Sequence, residues 1–183
     1  MQMYLWETTQ AVNGVDFGVT VSSHPELMLD VLQFSSFGPD VFEVSGDLVR
    51  IEDGTDPIRD GCEETVNGTE VAGKIAIIDR GACNFTVKVK NAQDAGAIAV
   101  LIANNTDDGT PAPMGGADDT VTIPSMGINF SEGAAFYALL DADETVSISM
   151  FKNDLTRKFK ASSWDNGIVS HEWGHHISNR VVG

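Results

Sequence analysis

The chain has 183 residues, with 27 Asp and Glu against 11 Lys and Arg, a net charge of −16 and 42% hydrophobic residues. So acidic a chain lacks the basic face that displaces counterions from nucleic acid, and anionic membrane surfaces repel it. No apolar run is long enough to span a bilayer, and the apolar content with 18 glycines is that of a folded, turn-rich globule.

The first six residues, Met1-Gln2-Met3-Tyr4-Leu5-Trp6, have neither the basic start nor the long apolar run of a signal peptide. Tyr4 and Trp6 in a weak alternation predict a strand. Residues 7–18 are polar with two glycines and read as a connector. Short β-like runs follow at Val19–Val21, Val41–Val44 and Leu48–Ile51, cut by Gly-Pro and Ser-Gly turns. Residues 53–72 form a loop rich in Gly, Asp and Asn.

Lys74–Asp79 is almost wholly apolar, as a strand buried on both faces must be. Asn84–Ala95 places Phe85, Val89 and Ala92 at helical spacing and Gly96 at its stop. That helix is expected to bury Phe85 and Val89 and to expose Lys88 and Lys90. Ile98–Ala103 is a second buried strand, so strand, helix and strand make one βαβ unit with parallel strands. Residues 104–120 read as a loop, and Thr122–Ile128 as an edge strand interrupted by Pro124. Ser131–Leu140 is a short helix capped by Ser131, and Thr145–Met150 alternates like a strand. Residues 152–164 form a basic, polar connector, and Asp165 or Asn166 caps a last helix reaching about Asn179.

Cys62 and Cys83 are the two cysteines. By themselves they are read equally as a disulfide, which places the protein outside the cytoplasm, or as two buried thiols. A bridge across about 22 residues contributes roughly 3 kcal/mol on the chain-entropy account.

The most specific chemistry is His171-Glu172-Trp173-Gly174-His175, an H-E-x-x-H. On a helix, residues i and i+4 lie on one face about 5–6 Å apart. Two imidazoles so placed can share a zinc ion at about 2.0–2.1 Å. Glu172, beside the metal but not bound to it, is placed to take a proton from zinc-bound water. A chance match on an ordinary helix is the bland alternative. Against it, three of the four histidines fall within residues 171–176, and Ile168, Trp173 and Ile177 supply an apolar face. A catalytic zinc takes three protein ligands, and no upstream Asp or Glu has the spacing of a third. His176 points away from the pair and reads as a surface or packing residue, and His24 before Pro25 as a turn residue.

Residues 165–183, DNGIVSHEWGHHISNRVVG, resemble the active-site helix of the fungalysin family of secreted zinc metallopeptidases, within the thermolysin-like group. Residues 1–6 look like the strand just before that helix. The resemblance implies zinc on His171 and His175, Glu172 as general base, and a third ligand, a Glu, on a later helix. Between the two segments, Gly61-Cys62, the run VAGKIAIIDRGACNF at 71–85 and KVKNAQDAGA at 88–97 resemble a protease-associated (PA) domain. That resemblance implies a swivelling β/β/α fold, a Cys62–Cys83 bridge and a non-catalytic role in protein interaction, substrate access or regulation.

The expected organisation is therefore a peptidase strand and connector at 1–17, a PA domain at 18–152, and a connector with the zinc-motif helix at 153–183. The fold class is α/β, a PA-type domain with one βαβ unit flanked by a thermolysin-like strand and helix. The chain reads as an excerpt of an extracellular zinc metalloendopeptidase and is expected to be inactive alone. The rival reading is a stand-alone interaction module whose terminal H-E-x-x-H has no function. Expected partners are a peptide or protein substrate and the remainder of the peptidase domain, with self-association through the terminal strand and helix. Weaker signals are the sequons at Asn67, Asn84, Asn104 and Asn129, and acidic turns at Asp107-Asp108 and Asp118-Asp119 that could hold Ca2+ but lack EF-hand spacing. The basic run Lys152, Arg157, Lys158, Lys160 reads as a solvated linker.

Overall fold

The computed structural model describes residues 10–12, 15–29, 32–111 and 113–154. The strand expected at Met1–Trp6 and the helix expected after Asp165 lie outside the described residues. Among the described residues, eight strands form one mixed sheet: β1 (Gln10–Val12), β2 (Val15–Val21), β3 (Gln33–Phe34), β4 (Phe42–Arg50), β5 (Ile75–Asp79), β6 (Ala99–Ala103), β7 (Ser125–Ile128) and β8 (Ser147–Asp154). Their spatial order is β1-β2-β8-β4-β5-β6-β7-β3. Three helices accompany them: α1 (Gly68–Val71), α2 (Phe85–Asp94) and α3 (Phe130–Asp141).

The expected βαβ unit is present. β5 and β6 pair in parallel, Ile75 opposite Ala99 through Asp79 opposite Ala103, with α2 as the crossover. Successive residues of β5 face opposite sides of the sheet. Ile75 and Ile77 join one apolar core with Leu101, Met126, Phe136 and Tyr137. Ala76 and Ile78 join a second with Val89, Ala92, Val100 and Ile102. Helix α2 covers one face and α3 the other, which is why β5 and β6 read as unbroken apolar runs.

Strand β4 joins the antiparallel and parallel parts of the sheet. Phe42–Asp47 pair antiparallel with β8, and Leu48–Arg50 pair parallel with β5. The two β-like runs read from the sequence are thus one strand, continuous through Ser45-Gly46.

The basic stretch from Lys152 is not wholly a solvated linker, since β8 runs on to Asp154 and Lys152 is 9% exposed with its ammonium 4.1 Å from the Phe34 ring centroid, and the loop expected at 53–72 carries α1. Four further expectations are corrected. Residues 7–18 are not merely a connector, because β1 and the start of β2 fall there. Phe17, Val19 and Val21 are buried in period-2 alternation, and Gly18, which disguises the pattern, lies opposite Phe151 in the register. A Cβ at Gly18 would come within 2.8 Å of that ring. β7 is not the sheet edge, since β3 pairs outside it, Phe34 opposite Met126. Pro124 precedes β7, so its missing N–H costs the ladder nothing, and its carbonyl accepts from Val100 N–H. The cap of α3 is Asn129, not Ser131. The Asn129 side chain accepts from Glu132 N–H while the Glu132 carboxylate accepts from Asn129 N–H, a reciprocal capping box.

The fourth correction concerns Lys88, which is 0% exposed. Residues 85, 88, 89 and 92 follow the i, i+3, i+4, i+7 spacing of one helix face. The stripe therefore includes Lys88, although its charge argued for the outside. Its ammonium donates to the Asp60 carbonyl and lies 3.7 Å from the Asp60 carboxylate and 3.3 Å from Cys62 Sγ. Burial pulls its pKa below the ordinary lysine value, and the Asp60 and Asp53 carboxylates oppose that shift. Lys90 sits where expected, at the helix surface, paired with Asp94 one turn on.

Cys62 and Cys83 form the disulfide, with Cα atoms 5.7 Å apart. Around it, Cys62 N–H donates to Asp53 and Asp60, and the Asn91 amide donates to the Gly61 carbonyl. Replacing both cysteines by serine is expected to cost about 3 kcal/mol, since the bridge closes a loop across a separation of 21 residues. Chemical denaturation of the oxidised protein and the double variant checks this. Lys88→Met strands the Asp60 carboxylate in the interior and is expected to cost about 3–5 kcal/mol. Adding Asp60→Asn should recover part of that loss, measured by the same unfolding midpoints.

Candidate functional site

The zinc-motif residues His171, Glu172 and His175 lie outside the described residues. Within the described part, a cavity of about 580 Å3 lies where β5 and β6 end and α3 begins. Ligands of open α/β sheets gather at the carboxyl ends of parallel strands, beside the point where successive connections change face. Here α2 and α3 lie on opposite faces of the sheet, and the cavity opens between the strand ends and α3.

Each wall has a structural reason. Asp79 is the last residue of β5, and Arg80 follows it; Ala103 is the last residue of β6, and Asn104 follows it. Arg80 N–H donates to Ala103 carbonyl, and its guanidinium donates to the Asn104 side chain at 3.0 Å. Arg59 and Asp60 come from the loop held by the disulfide and Lys88. Gly81 faces that loop so closely that a Cβ would lie 2.5 Å from the Asp60 carboxylate. From α3 come Phe130, Ala134, Tyr137, Ala138 and Asp141.

The charges on the wall are mostly matched. Asp79 pairs with Arg59 at 3.2 Å, Asp60 with Lys88, and Asp141 with Arg50. The Arg59 guanidinium also lies over the Tyr137 ring, 4.2 Å from its centroid, a cation–π contact. Tyr137 is 8% exposed and its hydroxyl is buried without a well-formed hydrogen bond. Burial drives its pKa far above the ordinary phenol value, the Asp79 carboxylate pushes the same way, and Arg59 opposes. The phenol therefore stays neutral at any ordinary pH.

The acidic turns are engaged locally. Asp108 accepts from the backbone and hydroxyl of Thr110 and from the Thr106 hydroxyl. Asp118 accepts from the hydroxyl and backbone of Thr120. Those bonds hold both carboxyls below the usual carboxylate range. Asp53, Asp60 and Glu63 also converge, but Lys88 and the Cys62 N–H already serve the two buried members. His24 bonds to Ser23 Oγ and Glu144, joining the turn after β2 to the one before β8.

Sequence reasoning did not single out Arg59, Asp79, Arg80 or Tyr137 as site residues. The available signal was position: Asp79-Arg80 end the first strand of a βαβ unit, where such folds bind ligands. Arg59 and Tyr137 gave none, since a loop and a helix distant in sequence bring them there.

Comparison with known proteins completes the picture. Residues 102–183 match the fungalysin metallopeptidase family. Leucine aminopeptidase 2 of Arthroderma otae is 28% identical over 182 residues, 99% of this chain and 32% of that protein. Probable leucine aminopeptidase 2 of Aspergillus fumigatus is 34% identical over 84 residues, 45% of this chain and 17% of that protein. Among solved structures, a zinc aminopeptidase from Bacillus subtilis superposes with a TM-score of 0.57 at 26% identity, covering 76% of this chain and 31% of that one. The chain thus spans about a third of the length of the first of these relatives. Residues 44–136, just over half of the sequence, match the PA domain, in keeping with the disulfide and the mixed sheet with its βαβ unit, and the chain belongs to the PA domain family.

Proposed function

We propose that this chain is the PA-domain-bearing part of an extracellular zinc metallopeptidase in which His171 and His175 hold the metal and Glu172 is the general base. The observation that carries the reading is the H-E-x-x-H itself, inside the stretch 102–183 that matches the fungalysin metallopeptidases. The donor set fits zinc: two imidazole side chains four residues apart in sequence, with a carboxylate next to the first. When bound, zinc acidifies a coordinated water and polarises a carbonyl. Glu172 would be the carboxylate placed to accept a proton from water and to return it to the leaving amine. The third ligand would come from a Glu outside residues 165–183, as in the thermolysin-like group.

The disulfide supports an oxidising compartment, hence the extracellular assignment. The described PA domain supplies no catalytic group of its own on this reading. It adjoins the zinc-motif segment in the sequence and, on this reading, would govern which peptides reach the metal. The domain would span 18–152, with peptidase segments at 1–17 and 153–183. Substrates are peptides or proteins, cleaved internally.

A second reading, removal of amino-terminal residues, is favoured by the leucine aminopeptidase relatives. One assay on the longer parent protein separates the two. An internally quenched peptide with both termini blocked is expected to be cleaved, and leucine p-nitroanilide to be spared; the reverse preference establishes the aminopeptidase. Glu172→Gln is expected to lower kcat by at least about a thousandfold while zinc content, measured by atomic emission, stays unchanged. His171→Ala should lose the metal. Full activity in Glu172→Gln would overturn Glu172 as the base, and absence of peptidase activity in the wild-type parent would favour a module whose H-E-x-x-H has no role. The isolated 183 residues are expected to show no chelator-sensitive proteolysis, because two histidines without a third ligand leave the ion largely hydrated.

A further inference from the structure

The cavity at the ends of β5 and β6 carries an imbalance. Its three acidic wall residues each have a cation: Arg59 for Asp79, Lys88 for Asp60, Arg50 for Asp141. Arg80 is different. Its guanidinium donates to the neutral Asn104 amide, and among the described residues no carboxylate pairs with it. In a chain of net charge −16, the wall of one cavity therefore holds a cation with donors to spare. A guanidinium has five N–H donors in a planar fork suited to a carboxylate.

Apart from Asn104 and Asn105, the rest of the wall is without polar side chains other than the Tyr137 hydroxyl, and its apolar surface comes from Pro57, Ala103, Phe130, Ala134, the Tyr137 ring and Ala138. Phe130 stands at the start of α3 and is 43% exposed, an aromatic face open to a ligand. Neutral Tyr137 adds no negative charge. About 580 Å3 is the size range of small-ligand pockets and suits one or two residues of a peptide. A bare inorganic anion would leave the apolar wall uncovered, and an amine would meet only acids already paired.

We propose that this pocket binds the C-terminal residue of a peptide, the terminal carboxylate on Arg80 and an apolar last side chain against Phe130 and the α3 alanines. The bound peptide end is then read by a site that performs no chemistry. The inference stands on the pocket alone and does not depend on the zinc reading.

The test uses the 183-residue chain in EDTA, so that no metal-dependent cleavage intrudes. The probe is a fluorescein-labelled tetrapeptide ending in leucine with a free carboxylate, compared with the same peptide as its C-terminal amide, by fluorescence polarisation. The acid is expected to bind about tenfold or more tightly than the amide, the range of one charge-assisted hydrogen bond. Arg80→Gln should bring acid and amide within twofold of each other, with the far-UV spectrum unchanged. Ala134→Phe, an exposed α3 position that fills the cavity without touching Arg80, should weaken the acid at least fivefold, and it keeps the test open if Arg80→Gln misfolds. Replacing the last leucine by aspartate should also abolish binding. Equal affinity for acid and amide, no binding of the acid up to millimolar peptide, or wild-type binding by Ala134→Phe would overturn the proposal.

Discussion

A single enclosed ammonium organises the functional end of this domain. Lys88 projects from α2 into a space closed by Asp60, Cys62 and Asp53, with no solvent access. A buried charge survives only when paired and hydrogen-bonded, so the loop that supplies its partners cannot leave. That loop is also tied by the disulfide and by Asn91. It delivers Arg59 and Asp60 to the cavity wall. A charge hidden on one face of the sheet thus holds the wall of a pocket that opens at the ends of its central strands.

The second constraint is the division of labour within β4. Its first half belongs to an antiparallel ladder with β8 and its second half to a parallel ladder with β5. In the antiparallel part, β1-β2-β8-β4, only β1 and β2 are joined by a short connection; β8 (Ser147–Asp154) comes from far along the chain to lie between β2 and β4. The parallel part needs crossovers, which places α2 on one face, while α3 comes to lie on the other. Where those faces meet the strand ends, backbone groups and polar side chains are left at the mouth of the sheet. The cavity is a consequence of this topology, and Arg80 and Asn104 occupy it because they are the residues that follow β5 and β6.

Charge is distributed to match. The acidic surplus lies largely on exposed turns, where Asp108 and Asp118 bind their own backbone and threonine hydroxyls. Around the cavity, acids and bases are paired one to one, leaving Arg80 in excess. A net charge of −16 disfavours anionic ligands at long range, yet a local cation can still select an anionic ligand, since apolar walls weaken screening.

The sequence by itself determined the elements whose signal is local. An unbroken apolar run makes β5 and β6 buried strands; the stripe of Phe85, Val89 and Ala92 makes α2; and Gly96, at φ +89°, ends it. The H-E-x-x-H is legible for the same reason, its pattern being contained in five consecutive residues. Only the tertiary structure decided the partner of Lys88, the strand hidden by Gly18, the covering of β7 by the two residues of β3, and the meeting of Arg59, Asp79, Arg80 and Tyr137. Each of those depends on groups far apart in the chain, and the spacing of residues in sequence carries no record of which distant side chains a fold brings within bonding distance.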